Sequence, residues 1–288
     1  MRVSVPATSA NLGPGFDALG LALDLRDVVT AQVTDGLEII VDGADAVPLD
    51  ETHLVHRSMV RAFEALEVPT PGLRLHCVNL IPHGRGLGSS SAAIVAGVAA
   101  ARGLVEGGTE RMDDDALFAL AAEIEGHPDN VAPAVYGGFT IAYAEGGTFR
   151  ATSIEVDPRV GVVMFVPANP VETKVARGLL PHVVSHADAA ANAGRAALLV
   201  AALTRRPELL HDATRDWLHQ DYREPAMPET LALVRSLRAQ GFAAIVSGAG
   251  PTVLAFCAAE QADVVAAAGP AGWRVLRPAI DSEGLRVG

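Results

Sequence analysis

Residues 82–93 read Pro-His-Gly-Arg-Gly-Leu-Gly-Ser-Ser-Ser-Ala-Ala. Gly84, Gly86 and Gly88 alternate directly after the strand-like run 73–80. Ser89, Ser90 and Ser91 follow at once and lead into an alanine- and valine-rich stretch that predicts a helix to about residue 104. Glycine reaches backbone angles that strain other residues and lets a ligand approach the main chain. A helix start adds N–H groups without intrahelical partners and the positive end of the dipole. The combination makes a phosphate cradle, with Pro82, His83, Gly84, Arg85, Gly86, Leu87, Gly88, the three serines and Ala92 as its candidate binding residues. A Walker A loop would need a Lys directly before its Ser or Thr, and a Rossmann fingerprint would need G-x-x-G where this chain has G-x-G. A plain glycine turn capped by Ser89 is the bland alternative, and the strand-loop-helix setting weighs against it.

Three further segments carry groups that could do chemistry. Residues 6–20 pack glycines, Asn11 and Asp17 into a loop after the first strand. Residues 123–133, Glu-Ile-Glu-Gly-His-Pro-Asp-Asn-Val-Ala-Pro, end a helix; a carboxylate such as Glu125 there meets the negative end of the dipole unless a cation compensates. Residues 247–251, Ser-Gly-Ala-Gly-Pro, form a second glycine-rich turn between apolar strands. Taken singly, each reads as an ordinary turn or a solvated helix end. Their coincidence with a phosphate loop outlines a site.

Those groups need a scaffold. The chain has 288 residues, half of them hydrophobic and 19% charged, which suits one large domain or two of about 150 residues. Twenty-two basic against 34 acidic residues leave a net charge of −12, which argues against nucleic acid or an anionic membrane as partner. Cys77 and Cys257 sit in apolar strand patterns and read as buried thiols of a reducing compartment, without metal-ligand spacing. The N-terminus lacks a basic segment followed by an apolar core, and the stretch 92–101 is half a membrane span, so a cytoplasmic protein is expected.

Patterning predicts strands at 1–5, 16–24, 27–34, 37–42 and 73–80, with 27–34 and 37–42 forming a hairpin around Asp35-Gly36. Helical spacing runs over 51–66, stopped by Val68-Pro69, and over 113–125, whose first turn holds three acidic residues. Strands are expected at 136–144, 151–156 and 161–166. Helices follow at 185–203 and 229–240, with strands at 242–246, 252–257 and 273–277. A compositional shift near 155–170 divides the chain into 1–155 and 156–288.

Together the motifs resemble those of the GHMP small-molecule kinase superfamily and, within it, the homoserine kinase branch. Residues 82–93 are similar to its P-x-G-x-G-L-G-S-S-S-A-A loop. The runs 8–20 (T-S-A-N-L-G-P-G-F-D-x-L-G), 125–138 (E-G-H-P-D-N-V-A-P-A-V-Y-G-G), 173–181 (T-K-V-A-R-G-L-L-P) and 247–252 (S-G-A-G-P-T) resemble the narrower branch. The resemblance implies an α+β fold: an N-terminal α/β domain with a left-handed βαβ crossover, plus a C-terminal ferredoxin-like domain, with the active site between them. It also implies phosphorylation of the L-homoserine hydroxyl by ATP with Mg2+, a step of threonine synthesis, in a homodimer whose other partners are small molecules.

The implied roles map residue by residue. The main chain of 84–91 binds the α- and β-phosphates, and Ser90 with Glu125 holds magnesium, a hard cation that prefers oxygen. Ser89 and Ser91 read as caps or phosphate donors. Arg177 and Arg223 match the family's carboxylate-binding arginines, whose planar forks suit that group, with Thr173 assisting. Asp17 is the candidate for the substrate ammonium, and Asn11 and Asn130 orient the attacking hydroxyl. Asp129 has two readings, general base or second ammonium partner, and a loose transition state favours the second. His127 reads as structural, His53 stands where family members place Asn near the adenine, and Arg85 reads as a solvent-exposed free choice. The alternative is a kinase of the same superfamily for another hydroxyl compound of mevalonate, sugar or shikimate type.

Overall fold

Sixteen residues of one strand organise the first half of the chain. The computed structural model describes residues 1–288. Strand β1 (Arg2–Ala10) pairs antiparallel with β2 (Leu19–Thr34) along its length. After β3 (Leu37–Asp42) and helix α1 (Leu54–Ala65), β4 (Gly72–Val78) pairs with the second half of β2. The expected hairpin between 27–34 and 37–42 does not form. β4 lies between them, antiparallel to β2 and parallel to β3, so β3–α1–β4 is a crossover unit. Burial gives the reason: Leu73, Leu75 and Cys77 are all closed off from solvent, whereas β3 buries only Ile39. The strand with a complete apolar face takes the interior position, and the weaker one takes the edge.

Helix α2 (Ser89–Leu104) packs on α1 and is buried on nearly every face, which explains its lack of a polar stripe. Its approach to α1 is close. A Cβ on Gly97 would lie 2.5 Å from the Val55 carbonyl oxygen. The short α3 (Gly108–Arg111) leads to α4 (Asp114–Glu125), where the Asp113 side chain caps the helix by accepting from Ala116 N at 2.8 Å. Then come α5 (Val131–Tyr136), β5 (Phe139–Glu145) and β6 (Thr148–Ile154). The strand expected from residue 136 begins three residues later, because Gly137 and Gly138 both have positive φ (69° and 65°) and turn the chain between α5 and β5.

The second sheet contains β7 (Gly161–Val166), then, after α6 (Thr173–Gly178), α7 (His186–Thr204), α8 (Leu210–Ala213) and α9 (Pro228–Ala239), the strands β8 (Ala243–Val246) and β9 (Val253–Cys257). Helix α10 (Ala262–Ala266) and β10 (Arg274–Leu276) complete it in the antiparallel order β10-β7-β9-β8. That order, with helices after the first and third strands, is the ferredoxin-like arrangement. The last strand, β11 (Arg286–Val287), returns to pair with β1. Alternate residues of β8 serve two cores: Ala243 and Ile245 join a cluster of 52 buried residues that spans both sheets, while Ala244 and Val246 face a second cluster of 14 under α9. Four connections meet at the junction of the sheets: the β1–β2 loop, the β4–α2 loop, the end of α4 and the β8–β9 turn.

Candidate active site

The β4–α2 loop is a row of free donors. Gly84, Gly86 and Gly88 adopt φ of 65°, 72° and 69°, and Gly88 is the N-cap of α2 without a side-chain cap. No main-chain N–H from residue 84 to residue 91 has a partner within the protein. Unpaired N–H groups converging at the positive end of a sixteen-residue helix favour an anion. Two glycines are also sterically required. A Cβ on Gly86 would lie 2.2 Å from the Ser247 carbonyl oxygen, and one on Gly88 would lie 1.9 Å from Thr8 Oγ1. Thr8 N donates to the Leu87 carbonyl (3.0 Å) and Ser247 Oγ to the Gly86 carbonyl (2.6 Å), so the loop is held from both sheets. Arg85 corrects the reading of it as a free surface choice: its guanidinium donates to the carbonyls of His83, Pro167 and Ala168. Three oriented carbonyls fix a fork that solvent would have left mobile.

Ser90 and Glu125 come together. Ser90 Oγ donates to Glu125 Oε2 at 2.7 Å, and Ser91 Oγ donates to Oε1 at 2.9 Å. Ser89 makes no side-chain hydrogen bond within the protein, so its neighbours, not the first serine, carry the contact. No three His, Cys, Asp or Glu side chains cluster as an all-protein metal cage. One carboxylate and one hydroxyl beside a phosphate cradle are the donor set that magnesium takes when it shares its remaining ligands with phosphates and water.

The turn after α4 supplies the next groups. Asp129 is buried, with Oδ1 at 3.1 Å from His127 Nδ1. Burial works against the imidazolium of His127, but the hydrogen bond and charge of Asp129, with Glu125 behind, outweigh it and raise its pKa. Asn130 Oδ1 accepts from Thr8 Oγ1 at 2.8 Å, and its Nδ2 has no partner in the protein. Asn11, at φ 65°, is a strut: Nδ2 donates to the Gly248 carbonyl (2.9 Å) and Oδ1 accepts from Asp17 N (2.9 Å).

Both arginines are present, in different states. Arg177, from α6, forms a two-pronged pair with Asp17, with Nη2–Oδ1 at 2.6 Å and Nη1–Oδ2 at 3.0 Å. The two candidates for opposite ends of a zwitterion therefore hold each other. Arg223, in a 3-10 turn (Asp221–Ala226), is buried. Its Nη1 donates to the Gly248 carbonyl at 2.9 Å and to His219 Nδ1 at 3.1 Å, while Nε is buried without a partner and Nη2 makes no bond in the protein. The unused Nε–Nη2 edge is a carboxylate-matched fork. Burial, and then the charge of Arg177, push the Arg223 pKa down to about 10. Phe16 supports both guanidinium groups, with Cζ atoms 5.5 Å and 5.9 Å from its ring centroid.

One cavity of about 360 Å³ collects Asn11, Gly84, Gly86, Leu87, Gly88, Ser89, Ser90, Glu125, Asp129, Asn130, Thr173, Arg177 and Arg223. Asp17 stands behind Arg177, while Ser91 stands behind Glu125. A second cavity, about 260 Å³, is also lined by Ser89 and Ser90, and its walls include Val29, Val47, Val55, Ala93 and Ala96. His53 lines it with a buried Nδ1 that has no partner; burial, then His56 and His83, push its pKa down and keep the ring neutral. A larger cavity, about 590 Å³ around Pro207, Gly241 and Ala258, contains none of these groups. Sequence reasoning missed Thr8, Phe16 and His219. The adjacent hydroxyl residues Thr8 and Ser9 in a largely apolar strand were the legible sign for Thr8, and the spacing of His219 four residues before Arg223 was the sign for that pair.

Residues 53–138 match the GHMP kinases N terminal domain model, and residues 196–274 match GHMP kinases C terminal. A homoserine kinase of Streptomyces avermitilis is 57% identical over 290 aligned positions, covering 100% of this chain and 95% of that protein. One from Clavibacter michiganensis is 50% identical, covering 100% and 93%. Among solved structures, homoserine kinase from Cytophaga hutchinsonii superposes with a TM-score of 0.88 at 29% identity, covering 99% of this chain and 96% of that one. The glycine loop, the paired arginines and these full-length likenesses agree: the chain belongs to the homoserine kinase family of GHMP kinases.

Proposed function

We propose that this chain transfers the γ-phosphoryl group of ATP to the side-chain hydroxyl of L-homoserine, giving ADP and O-phospho-L-homoserine. The observation that carries the reading is the 360 Å³ cavity, which faces a row of free main-chain N–H groups toward an unpaired arginine fork. The first suits a phosphate chain and the second a carboxylate, and a hydroxy amino acid beside ATP satisfies both. The high identity to proteins named homoserine kinase supports the choice of acceptor.

In this reading the base lies in the 260 Å³ cavity beside His53, and the phosphates run over residues 84–91. Ser90 and Glu125 would hold magnesium, which when bound offsets phosphate charge. Arg223, through Nε and Nη2, takes the substrate carboxylate together with Arg177. Asp129 faces the ammonium, while Asp17, behind Arg177, orients that guanidinium. Asn130, with Oδ1 tied to Thr8, directs its free Nδ2 at the reacting oxygens. The loose transition state makes alignment and charge stabilisation the main demands, so none of these groups has to act as a strong base.

The test is ADP release measured over L-homoserine, 3-aminopropan-1-ol (homoserine without its carboxylate) and mevalonate. Homoserine is expected to exceed both in kcat/KM by at least about 100-fold, since the analogue leaves a buried arginine unpaired. Turnover of mevalonate with none of homoserine would overturn the assignment.

A further inference from the structure

Arg223 is held by a neighbour that does not itself line the cavity. His219 is fully buried. Its Nε2 lies 2.7 Å from the Gly13 carbonyl, which only accepts, so Nε2 carries the proton. Its Nδ1 lies 3.1 Å from Arg223 Nη1, which only donates, so Nδ1 is bare. One neutral tautomer satisfies both contacts. Asp216 does not compete for the ring: its Oδ2 is 3.6 Å from Nε2 and accepts instead from the main-chain N–H groups of His219 and Gln220. Burial lowers the His219 pKa against the opposing charge of Asp216, and Arg223 lowers it further.

A guanidinium is rigid and planar, so fixing one nitrogen in two directions fixes the whole fork. Both protons of Arg223 Nη1 are committed, one to the Gly248 carbonyl and one to His219. We propose that His219 is a positioning residue, whose bare Nδ1 turns the Nε–Nη2 edge of Arg223 toward the ligand carboxylate and whose Nε2–H locks that arginine to the loop carrying Asn11 and Asp17. The ring thereby couples carboxylate recognition to the strut that shapes the rest of the acceptor pocket. The inference deepens the reading of the cavity as a homoserine site and rests on it.

Two amides separate the two halves of the imidazole. His219→Asn places an oxygen near the Nδ1 position and keeps an acceptor for Arg223. His219→Gln reaches Gly13 with an N–H and loses that acceptor. The measurement is the ratio of kcat/KM for L-homoserine to that for 3-aminopropan-1-ol, alongside KM for ATP and thermal midpoints. The glutamine variant is expected to raise KM for homoserine about tenfold and to lower the ratio, with KM for ATP within about twofold, and the asparagine variant to keep the ratio. An unchanged ratio in His219→Gln, or losses in both variants that simply follow their thermal midpoints, would overturn the role of His219. A wild-type ratio near one would overturn the homoserine reading itself. Nitrogen chemical shifts of His219 in the wild-type protein test the geometry without any variant. A protonated Nε2 and bare Nδ1 at neutral pH support it, and the opposite tautomer or an imidazolium there refutes it.

Discussion

Glu125 occupies the least favourable end of its own helix, the last turn of α4, where no basic side chain offsets the dipole. The first turn of α2 answers it. Ser90 and Ser91 donate to its two oxygens from the positive end of a longer helix. Charge, not shape, is therefore what a Glu125→Gln variant removes. Turnover is expected to fall by about 100-fold or more with an unchanged melting temperature, and near-normal kcat would remove the carboxylate from the reaction. His219 gives a stability prediction of definite sign. Its pKa is lowered on folding, so the unfolded chain binds the proton more readily. The neutral ring's contribution is complete above about pH 6.5, the ordinary value, and diminishes as pH falls below it. The difference in urea midpoint between the wild type and His219→Asn should shrink on acidification from pH 7 to about 5. A difference that grew instead would mean a charged ring in the fold. Placement at one cavity was legible where types recur in a motif, as for Ser90, Glu125 and Arg223. The Asp17–Arg177 pairing was not, because residues 160 apart meet only after the sheets are stacked.

At the scale of elements, the loop and its helix act as one device held from both sides. Gly97 is the spacer that brings α1 onto α2. Gly97→Ala raises helix propensity by about 1 kcal/mol, yet the new methyl meets a main-chain carbonyl that cannot swing away. The net effect is expected to be a loss of about 1–3 kcal/mol in chemical denaturation, and a stabilised variant would show that α1 can slide. Elements with strong periodicity, such as β4, β7 and α4, were readable to within a residue or two of their ends. The order of strands was less so. The Asp35-Gly36 turn signals a reversal but does not say which strand will fill the adjacent slot, and β4 won it by burying a full face. The short helix α5 and the two-residue β11 carry too little pattern to be seen in advance.

For the whole molecule, the 52-residue core joins the inner faces of both sheets. The division at 155 and 156 falls between β6 and β7, where the chain passes from one sheet to the other over a shared core. Both tryptophans, Trp217 and Trp273, lie in the second segment, whereas helices and strands are spread over both. Tryptophan fluorescence and far-ultraviolet dichroism are expected to report coincident unfolding transitions, and two separated midpoints would contradict a shared core. The site's composition has a consequence for its surroundings. Amides of the 84–91 loop neither titrate nor gather a counter-ion cloud, and the molecule around them carries a charge of −12. The loop's own hold on phosphate should therefore not vary with acidity, and added salt, by screening the repulsive exterior, should hasten nucleotide capture where a lysine-lined cleft would slow.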